Sequence, residues 1–240
     1  MKRFFLALPL AILLSSCHFF MGQRVSGDGH ISTKQKEVGS FNSVAVSGSV
    51  KVHVRQDASN SVKLETDENL MDYIEVFTEG NKLVIRTKQG YNLDPTKDII
   101  AYVASPTYRD IDVSGACDIV GDGPITGNDE LHMSVSGDGD ITMQVSLPRL
   151  STEISGSGSM KISGQATDFK AQVSGSGDVK CFDLATDNTS LDLSGSADAE
   201  VNASKQLNIE ASGASTIQYK GNANVNQSIS GSGSVKKVGS

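Results

Sequence analysis

The chain has 240 residues, of which 38% are apolar and only 5% aromatic, and it contains no Trp. This composition argues against a core of large aromatic side chains and favours a thin core of small, β-branched residues. The net charge of −7 argues against nucleic acid as a partner, because binding to phosphate backbones requires an excess of Lys and Arg.

The first residues predict an exported protein. Lys2 and Arg3 precede the apolar run "FFLALPLAILL", which is too short to span a bilayer as a permanent anchor. The following "LSSC", which ends at Cys17, resembles the processing site of a bacterial lipoprotein signal. An ordinary secretory signal with a chance cysteine is the alternative. We expect residues 1–16 to be removed.

The resemblance to a lipoprotein signal also implies a cellular location. The cysteine of such a signal becomes the first mature residue and carries lipid, so Cys17 is the expected lipidation site and residues 17–39 the expected tether. Loss of the two basic residues changes the net charge from −7 to −9. Because Asp does not follow the cysteine, we expect attachment to the outer rather than the inner membrane. Whether the chain faces the periplasm or the exterior stays open.

A Ser-Gly motif recurs through the second half of the chain. Seven copies each follow an apolar anchor residue, and neighbouring anchors are 18 to 22 residues apart. The anchors are Val113, Val135, Ile154, Val173, Leu193, Ala211 and Ile229. A period near 19 residues that persists through half of a chain indicates a solenoid of repeating coils.

Apolar and polar residues alternate within each repeat. Leu131, Met133 and Val135 alternate with polar residues before one Ser-Gly, and Ile141 and Met143 do so after it. A period of two predicts strands with one buried face. No mature segment has a convincing helical period.

Stacking of the repeats predicts the fold. One repeat buries too little surface to be stable alone, whereas stacked repeats pair every strand with its equivalents above and below. We therefore predict an all-β protein built as a parallel β-helix, or β-solenoid, with coils of about 19 residues. A single domain is expected over 40–240, with irregular N-terminal coils over 40–110 and regular Ser-Gly repeats over 111–240.

Glycine always stands two positions after the anchor. These glycines are Gly115, Gly137, Gly156, Gly175, Gly195, Gly213 and Gly231. We expect each of them to adopt a corner conformation that a Cβ would hinder. The Ser hydroxyl before each glycine can form a ladder from coil to coil. The column is thus expected to be structural and not a ligand site.

Two earlier copies of the motif are weaker. "VSGDGHI" at 25–31 and "VSGSVKV" at 46–52 fit the same register. The stretch from Val46 to Val113 has the length of about three coils, and its turns lack Ser-Gly. It is either further solenoid with irregular loops or a partly antiparallel section. "YNLDPTKD" at 91–98 is the expected projecting loop.

The two remaining cysteines are predicted to stay apart. Cys117 and Cys181 stand at different positions relative to their anchors and three coils apart. That separation is roughly 14 Å at the usual strand spacing, which is too far for a disulfide. We expect two free thiols, with Cys181 facing the core.

Several segments resemble a known family. The lipoprotein start, "FNSVAVSGSVKVHVRQ" (41–56), "NKLVIRT" (81–87) and "VASPTYRDIDVSGACDI" (103–119), together with the later Ser-Gly copies, are similar to the putative auto-transporter adhesin head GIN domain family. The resemblance covers about residues 40–225. It implies a β-helical secreted or envelope protein of a diderm bacterium, with an adhesin role. Tyr108 departs from the family pattern, which usually has a hydrophobic residue there.

We call the stacked Ser-Gly turns, with the residues that directly follow them, the turn column. Its sequences are the ones most similar to a metal-binding motif. "SGDGD" (136–140) and "SGSGD" (174–178) are similar to the repeats of calcium-binding β-rolls. Those repeats return every nine residues so that neighbouring turns share an ion, whereas here the period is 19. Calcium requires six to eight oxygen ligands, so we expect no metal site.

Carboxylates of the same column are the candidates for catalysis. Asp118, Asp138, Asp140 and Asp178 could supply the acid and base of a polysaccharide-active enzyme. Acidic residues are also ordinary turn formers, and no cluster of Lys, Arg or aromatic residues accompanies these four. We therefore expect no catalytic residue among them.

The histidines and the glycine-rich stretches give no further signal. His30, His53 and His132 have no Ser, Cys or metal-ligand partner at a recognisable spacing. No phosphate-binding or dinucleotide-binding motif is present. We expect no cofactor.

The surface remains as the candidate for function. A solenoid offers long flat faces that suit extended ligands. The leading hypothesis is a non-catalytic, adhesin-like binding module of the cell envelope, held at the membrane by its lipid, with a glycan or an envelope protein as partner. The alternatives are a carbohydrate-active enzyme and a purely structural scaffold. At the C-terminal edge, Lys236 and Lys237 are expected to discourage pairing with other chains.

Overall fold

The computed structural model describes residues 22–239. The predicted signal peptide (1–16), the lipidation site Cys17 and the first residues of the predicted tether therefore lie outside the described residues. Within 22–239, no helix has the length and apolar character needed to cross a membrane.

The described residues form nineteen strands and one short 3-10 helix, η1 (Glu68–Tyr73). In chain order the strands are β1 Gln23–Ser26, β2 Ile31–Lys36, β3 Ser43–Gly48, β4 Lys51–Gln56, β5 Ser61–Asp67, β6 Ile74–Glu79, β7 Lys82–Thr87, β8 Tyr91–Asp94, β9 Ile100–Ser105, β10 Asp110–Gly115, β11 Asp118–Thr126, β12 Glu130–Gly137, β13 Asp140–Gly156, β14 Ser159–Gly175, β15 Asp178–Gly195, β16 Asp198–Gly213, β17 Thr216–Lys220, β18 Asn224–Gly231 and β19 Ser234–Lys237.

From β10 onward the chain winds as a parallel β-solenoid, which confirms the predicted fold class. β13, β14, β15 and β16 pair in sequence, all parallel. Each of these strands begins after one Ser-Gly corner, bends, and ends at the next corner. We call the segment that leads to a corner the first leg of a coil, the segment that follows it the second leg, and the turn between coils the return bend.

The core is a column of aliphatic side chains inside the coils. Inward residues such as Leu150, Ile154 and Met160 are at most 2% exposed. Their outward neighbours are partly or fully exposed, so the alternation in the sequence corresponds to the two faces of each leg. The small and β-branched composition matches this narrow interior.

The corner glycines stack in one column. Gly48 joins the seven predicted glycines, and all eight lie opposite one another in neighbouring coils with φ between +93° and +132°. A Cβ on Gly137 would lie 2.7 Å from the carbonyl oxygen of Gly115. The corner therefore requires glycine for its backbone conformation and also for space. In contrast, the expected ladder of hydroxyls reduces to one bond of 3.5 Å, from Ser212 to Ser194.

The N-terminal section contains both of the predicted alternatives. Val46 lies directly opposite Val113, so their coils are adjacent and not three coils apart. Between them the chain builds an end cap. β7 and β9 extend the two legs in parallel to β3 and β4. β6, β5 and β2 then add antiparallel strands.

Three expectations for the N-terminal section are wrong. The segment expected as a tether up to residue 39 contains β1 and β2, and β2 pairs with β5. The Ser-Gly motif at 25–31 does not enter the glycine column, because Val25 lies opposite Leu93 in a separate two-stranded sheet. The stretch 91–98 is not a projecting loop, since its first half is β8 of that sheet.

Asp67 holds the segments around Gly29 and Thr96 against the cap. Its carboxylate is fully buried and accepts hydrogen bonds from the Gly29 N–H (2.8 Å), the Thr96 N–H (2.9 Å) and the Thr96 hydroxyl (2.6 Å). Desolvation raises the pKa of this carboxyl, but the donated hydrogen bonds outweigh it, so the pKa lies below its usual value. A Cβ on Gly27 would collide with the same carboxylate.

Tyr108, the residue that departs from the family pattern, is fully buried beside the cap. Burial raises the pKa of its phenol. The hydroxyl lies 2.9 Å from the carbonyl oxygen of Arg55 and can donate to it. The polar atom is thus satisfied, which allows a tyrosine in this core.

The two ends of the solenoid differ. On the edge strand β2, Lys34 and Lys36 lie opposite Leu64 and Val62 and so stand on the core-facing side, a device that blocks further strand pairing. At the other end, among the described residues, β18 and β19 pair on one side only. Lys236 and Lys237 are exposed there, and their effect on edge pairing stays a prediction.

Replacement of Gly137 by Ala tests the glycine column. The new Cβ must clear the Gly115 carbonyl oxygen, so we expect a loss of stability larger than the roughly 1–3 kcal/mol that a positive φ alone costs. The matched control is Gly123→Ala, because Gly123 has a similar φ of +116° but no neighbouring heavy atom within 4 Å. Thermal unfolding followed by circular dichroism measures both. Equal losses would show that space at the corner is unimportant.

Asp67→Asn should destabilise the chain by about 3 kcal/mol at pH 7, because it removes a buried charge with three donors. The pKa of Asp67 is lower in the folded chain than in the unfolded chain. The charged carboxylate therefore stabilises the fold above about pH 4, and this stabilisation is lost as the pH falls. Urea unfolding from pH 7 to pH 2 should thus show a shrinking difference between the two proteins. A constant difference would contradict the assignment.

Candidate functional site

The carboxylates of the turn column lie on the outside of the coils. Asp118 stands opposite Asp140, and Asp178 stands opposite Asp198, each pair in adjacent coils. Neighbouring strands are about 4.8 Å apart, which is close to the roughly 5–5.5 Å between the carboxyl groups of retaining glycosidases. Asp138 is an exposed corner residue.

The depression next to two of these carboxylates is small. The depression beside Asp178 and Asp198 has a volume of about 100 Å³, well below that of ordinary ligand pockets. Asp178 forms an ion pair of 3.0 Å with Lys180, and Asp140 accepts a hydrogen bond of 3.0 Å from the Ser159 N–H. Asp178 is thus engaged within its own strand, and Asp140 is engaged with the strand of the next coil.

Within residues 22–239 the two cysteines, Cys117 and Cys181, are free and buried, which confirms the expected unpaired thiols. Burial raises the pKa of Cys181 to about 12 and also raises the pKa of Cys117. Neither thiol is a thiolate at neutral pH, so neither has the character of a nucleophile. Across residues 22–239, no three His, Cys, Asp or Glu side chains come close enough together to hold a metal ion.

A row of amide side chains covers the first legs of the C-terminal coils. We call it the amide face, and it consists of Asn188, Gln206, Asn208, Asn224 and Asn226. Asn188 lies opposite Gln206, which lies opposite Asn224, and Asn208 lies opposite Asn226. The parallel register thus places carboxamides side by side over three coils.

Hydrogen bonds orient part of the amide face. The Asn188 amide donates to the Asp168 carboxylate (2.8 Å), and the Gln206 amide donates to the Asn208 side-chain oxygen (3.1 Å). Each carboxamide offers two donors and an oxygen with two lone pairs. The two bonds hold Asn188, Gln206 and Asn208 in place, whereas Asn224 and Asn226 are exposed.

Two depressions meet at Asn188. One has a volume of about 310 Å³ and includes Arg149, Phe169 and Lys170 in its wall. The other has a volume of about 440 Å³ and includes Lys205 and three members of the amide face besides Asn188. Together they form a track that crosses several coils, with Leu150 and Phe169 in its wall at one end and carboxamides at the other.

A larger groove of about 600 Å³ follows the return bends. Gln165 donates to the Ser146 hydroxyl oxygen (2.9 Å) in its wall. Asp187 accepts from the Ser204 hydroxyl and the Lys205 ammonium, both at 2.9 Å, and Lys205 holds the pKa of Asp187 below its usual value. The wall of the groove thus combines these polar side chains with apolar residues such as Leu147 and Pro148.

The sequence contains a signal for the amide face that our sequence reasoning missed. Asn188, Gln206 and Asn224 are each 18 residues apart, and so are Asn208 and Asn226. Equal spacing at the coil period means that these side chains share a column. The ladder could have been predicted from the repeat register.

The sequence contains no comparable signal for the contact between His53 and Asp122. Their side chains approach to 2.9 Å although 69 residues separate them. His53 also stacks on Tyr102, with ring centroids 5.3 Å apart. Of the other histidines, His30 is exposed and lies 3.8 Å from Asp28.

Solved structures support the fold. The chain is similar to a putative adhesin from Bacteroides fragilis (TM-score 0.82, 21% identity, covering 89% of this chain and 100% of that one). It is also similar to a putative lipid binding protein from Parabacteroides distasonis (TM-score 0.76, 24% identity, 90% and 100% covered). A putative adhesin from the same organism shares 27% identity over 90% of this chain and 100% of its own length, with a TM-score of 0.69.

Among curated proteins, none matches this chain. The family model described as "Putative auto-transporter adhesin, head GIN domain" matches residues 40–223. That range begins just before β3 and ends just before β18, and so contains the cap except for β2, and nearly all of the coils. The match confirms the resemblance seen in the sequence, and the chain belongs to the head GIN domain family.

Proposed function

We propose that this chain is a lipid-anchored, non-catalytic binding module of the cell envelope and that the amide face is its ligand surface. The observation that carries the proposal is the in-register ladder of carboxamides over three coils. Membership of a family described as adhesin heads supports a binding role.

The chemistry of the amide face suits an extended glycan. Sugar hydroxyls both donate and accept hydrogen bonds, and carboxamides do the same from one planar group. The strand spacing repeats these groups every 4.7–4.9 Å along the stack. Because the two depressions continue the row on either side of Asn188, a chain of sugars can contact several coils at once.

A carbohydrate-active enzyme at the turn column is the competing proposal. It would use Asp138, Asp140 or Asp178 as acid and base. The small size of the depression beside Asp178 and the contacts that Asp178 and Asp140 already make favour a structural role. A purely structural scaffold is the second alternative and would bind no soluble ligand.

The proposed location at the membrane depends on lipidation of Cys17. Lipid attached there would hold the solenoid at the outer membrane and leave its long faces free. We expect Cys17→Ser to move the protein from the membrane fraction to the soluble fraction, since a single thiol carries the anchor. Fractionation with immunoblotting measures this, and Cys117→Ser is the control that should leave the distribution unchanged. A Cys17→Ser protein that stays with the membrane would contradict the proposal.

Binding can be tested on an array of glycans and extracellular matrix proteins. For a glycan that binds, the double change Asn188→Ala, Asn208→Ala should weaken affinity at least about ten-fold, because two hydrogen bonds are worth about 1.4 kcal/mol or more together. Gln218→Ala, which removes a carboxamide from a second leg, is the matched control. It should bind as the unchanged protein does.

The same assay separates the alternatives. Product analysis of a bound glycan should show no cleavage. Turnover that Asp138→Asn or Asp178→Asn abolishes would instead establish the enzyme. No binding to any glycan or matrix protein would favour the scaffold.

A further inference from the structure

A small pocket lies on the outward face of the second legs at the N-terminal end, far from the amide face in the sequence. We call it the basic pocket. It has a volume of about 290 Å³, and the side chains that surround it are Gln35, His53, Arg55, Ser61, Lys63, Tyr102, Ala104 and Asp122. They come from β2, β4, β5, β9 and β11.

Ala104 makes the depression. It lies opposite Arg55 on one side and Ser61 on the other, and it is 5% exposed. Because Val103 points into the core, the alternation of the strand places Ala104 on the outward face. A methyl group among longer side chains forms the floor of a pocket.

The neighbouring row of side chains forms a fixed wall. His53, Tyr102 and Lys63 lie side by side on three adjacent strands. The His53 ring stacks on Tyr102 at 5.3 Å with an interplanar angle of 29°. The Lys63 ammonium lies 5.1 Å from the centroid of the same ring, at a distance typical of cation–π contacts.

Donors without partners converge on this pocket. Within residues 22–239, Lys63 has no carboxylate partner, and the side chains of Gln35, Ser61 and Tyr102 form no hydrogen bond. Arg55 uses one terminal nitrogen for Asp57, at 2.8 Å, which leaves further N–H groups of its guanidinium free.

The charge of the lining selects the ligand. Arg55 and Lys63 are the cations of the lining, and Asp122 is its single carboxylate. Because Arg55 also pairs with Asp57 beside the pocket, the Lys63 ammonium is the charge of the lining that has no carboxylate partner among residues 22–239. The chain as a whole has a net charge of −7. The free ammonium of Lys63 favours an anion, and one carboxylate neutralises that charge. A phosphate dianion would leave excess negative charge beside Asp122.

We propose that the basic pocket binds one acidic sugar residue, a hexuronate. Lys63 and Arg55 bind its carboxylate, and a guanidinium has the fork geometry for that group. Gln35, Ser61, Tyr102 and Asp122 bind its hydroxyls. The volume lies at the lower end of ligand pockets, which fits one sugar ring. This inference does not depend on the amide face, which lies on the other leg.

Titration calorimetry on the full chain in detergent tests the proposal. We expect glucuronate to bind with a Kd of about 1 mM and glucose to bind at least ten-fold more weakly. Lys63→Gln should weaken glucuronate binding at least ten-fold and leave the affinity for glucose unchanged. Lys161→Gln is the matched control, since Lys161 is an exposed lysine on a second leg outside the pocket.

A second variant keeps the charges and fills the space. Ala104→Leu should abolish binding of glucuronate with an unchanged circular dichroism spectrum, because the added side chain occupies the floor of the pocket. Asn188→Ala should leave glucuronate binding intact, which separates this site from the amide face. Equal affinity for glucose and glucuronate, or tighter binding of inorganic phosphate, would overturn the proposal, and so would full binding by Ala104→Leu.

Discussion

The whole solenoid depends on close contact between backbones at the Ser-Gly corner. Each corner donates an N–H to the glycine carbonyl of the coil before it, as from Ser157 to Gly137 (3.0 Å) and from Ser176 to Gly156 (2.9 Å). The positive φ of these glycines turns the chain, and the missing Cβ lets the coils approach to the spacing of strands in a sheet. Because the first leg ends at this corner and the second leg starts from it, the register of the corner fixes the register of both legs.

A fixed register turns a repeat in the sequence into columns of side chains. Inward columns form the core, and outward columns place like groups next to one another at the strand spacing. The carboxamides of the amide face are such a column. The acidic pairs Asp118–Asp140 and Asp178–Asp198 are another, in which Lys180 offsets the repulsion between like charges. The chemistry of the surface follows from which residue type recurs at a given position of the coil.

Sequence reasoning worked where the contacts repeat. Alternation and the period of about 19 residues predicted the coils after Val113, since each strand pairs with its successor one period later. It failed where pairing is distant and irregular. Val46 meets Val113 across a long insertion, and the motif at 25–31 has the letters of a corner but surrounds the Asp67 carboxylate. A local pattern cannot reveal contacts of this kind.

The two surfaces with binding chemistry arise in opposite ways. The amide face exists because the coils repeat, and its width grows with every coil that carries a carboxamide. The basic pocket exists because the repeat is interrupted. β11 bulges between Val120 and Pro124, which brings Asp122 to His53, and β5 and β2 of the cap widen the sheet and supply Lys63 and Gln35. A repeating ladder suits a repeating polymer, whereas an irregular junction gathers five strands around one small, defined group.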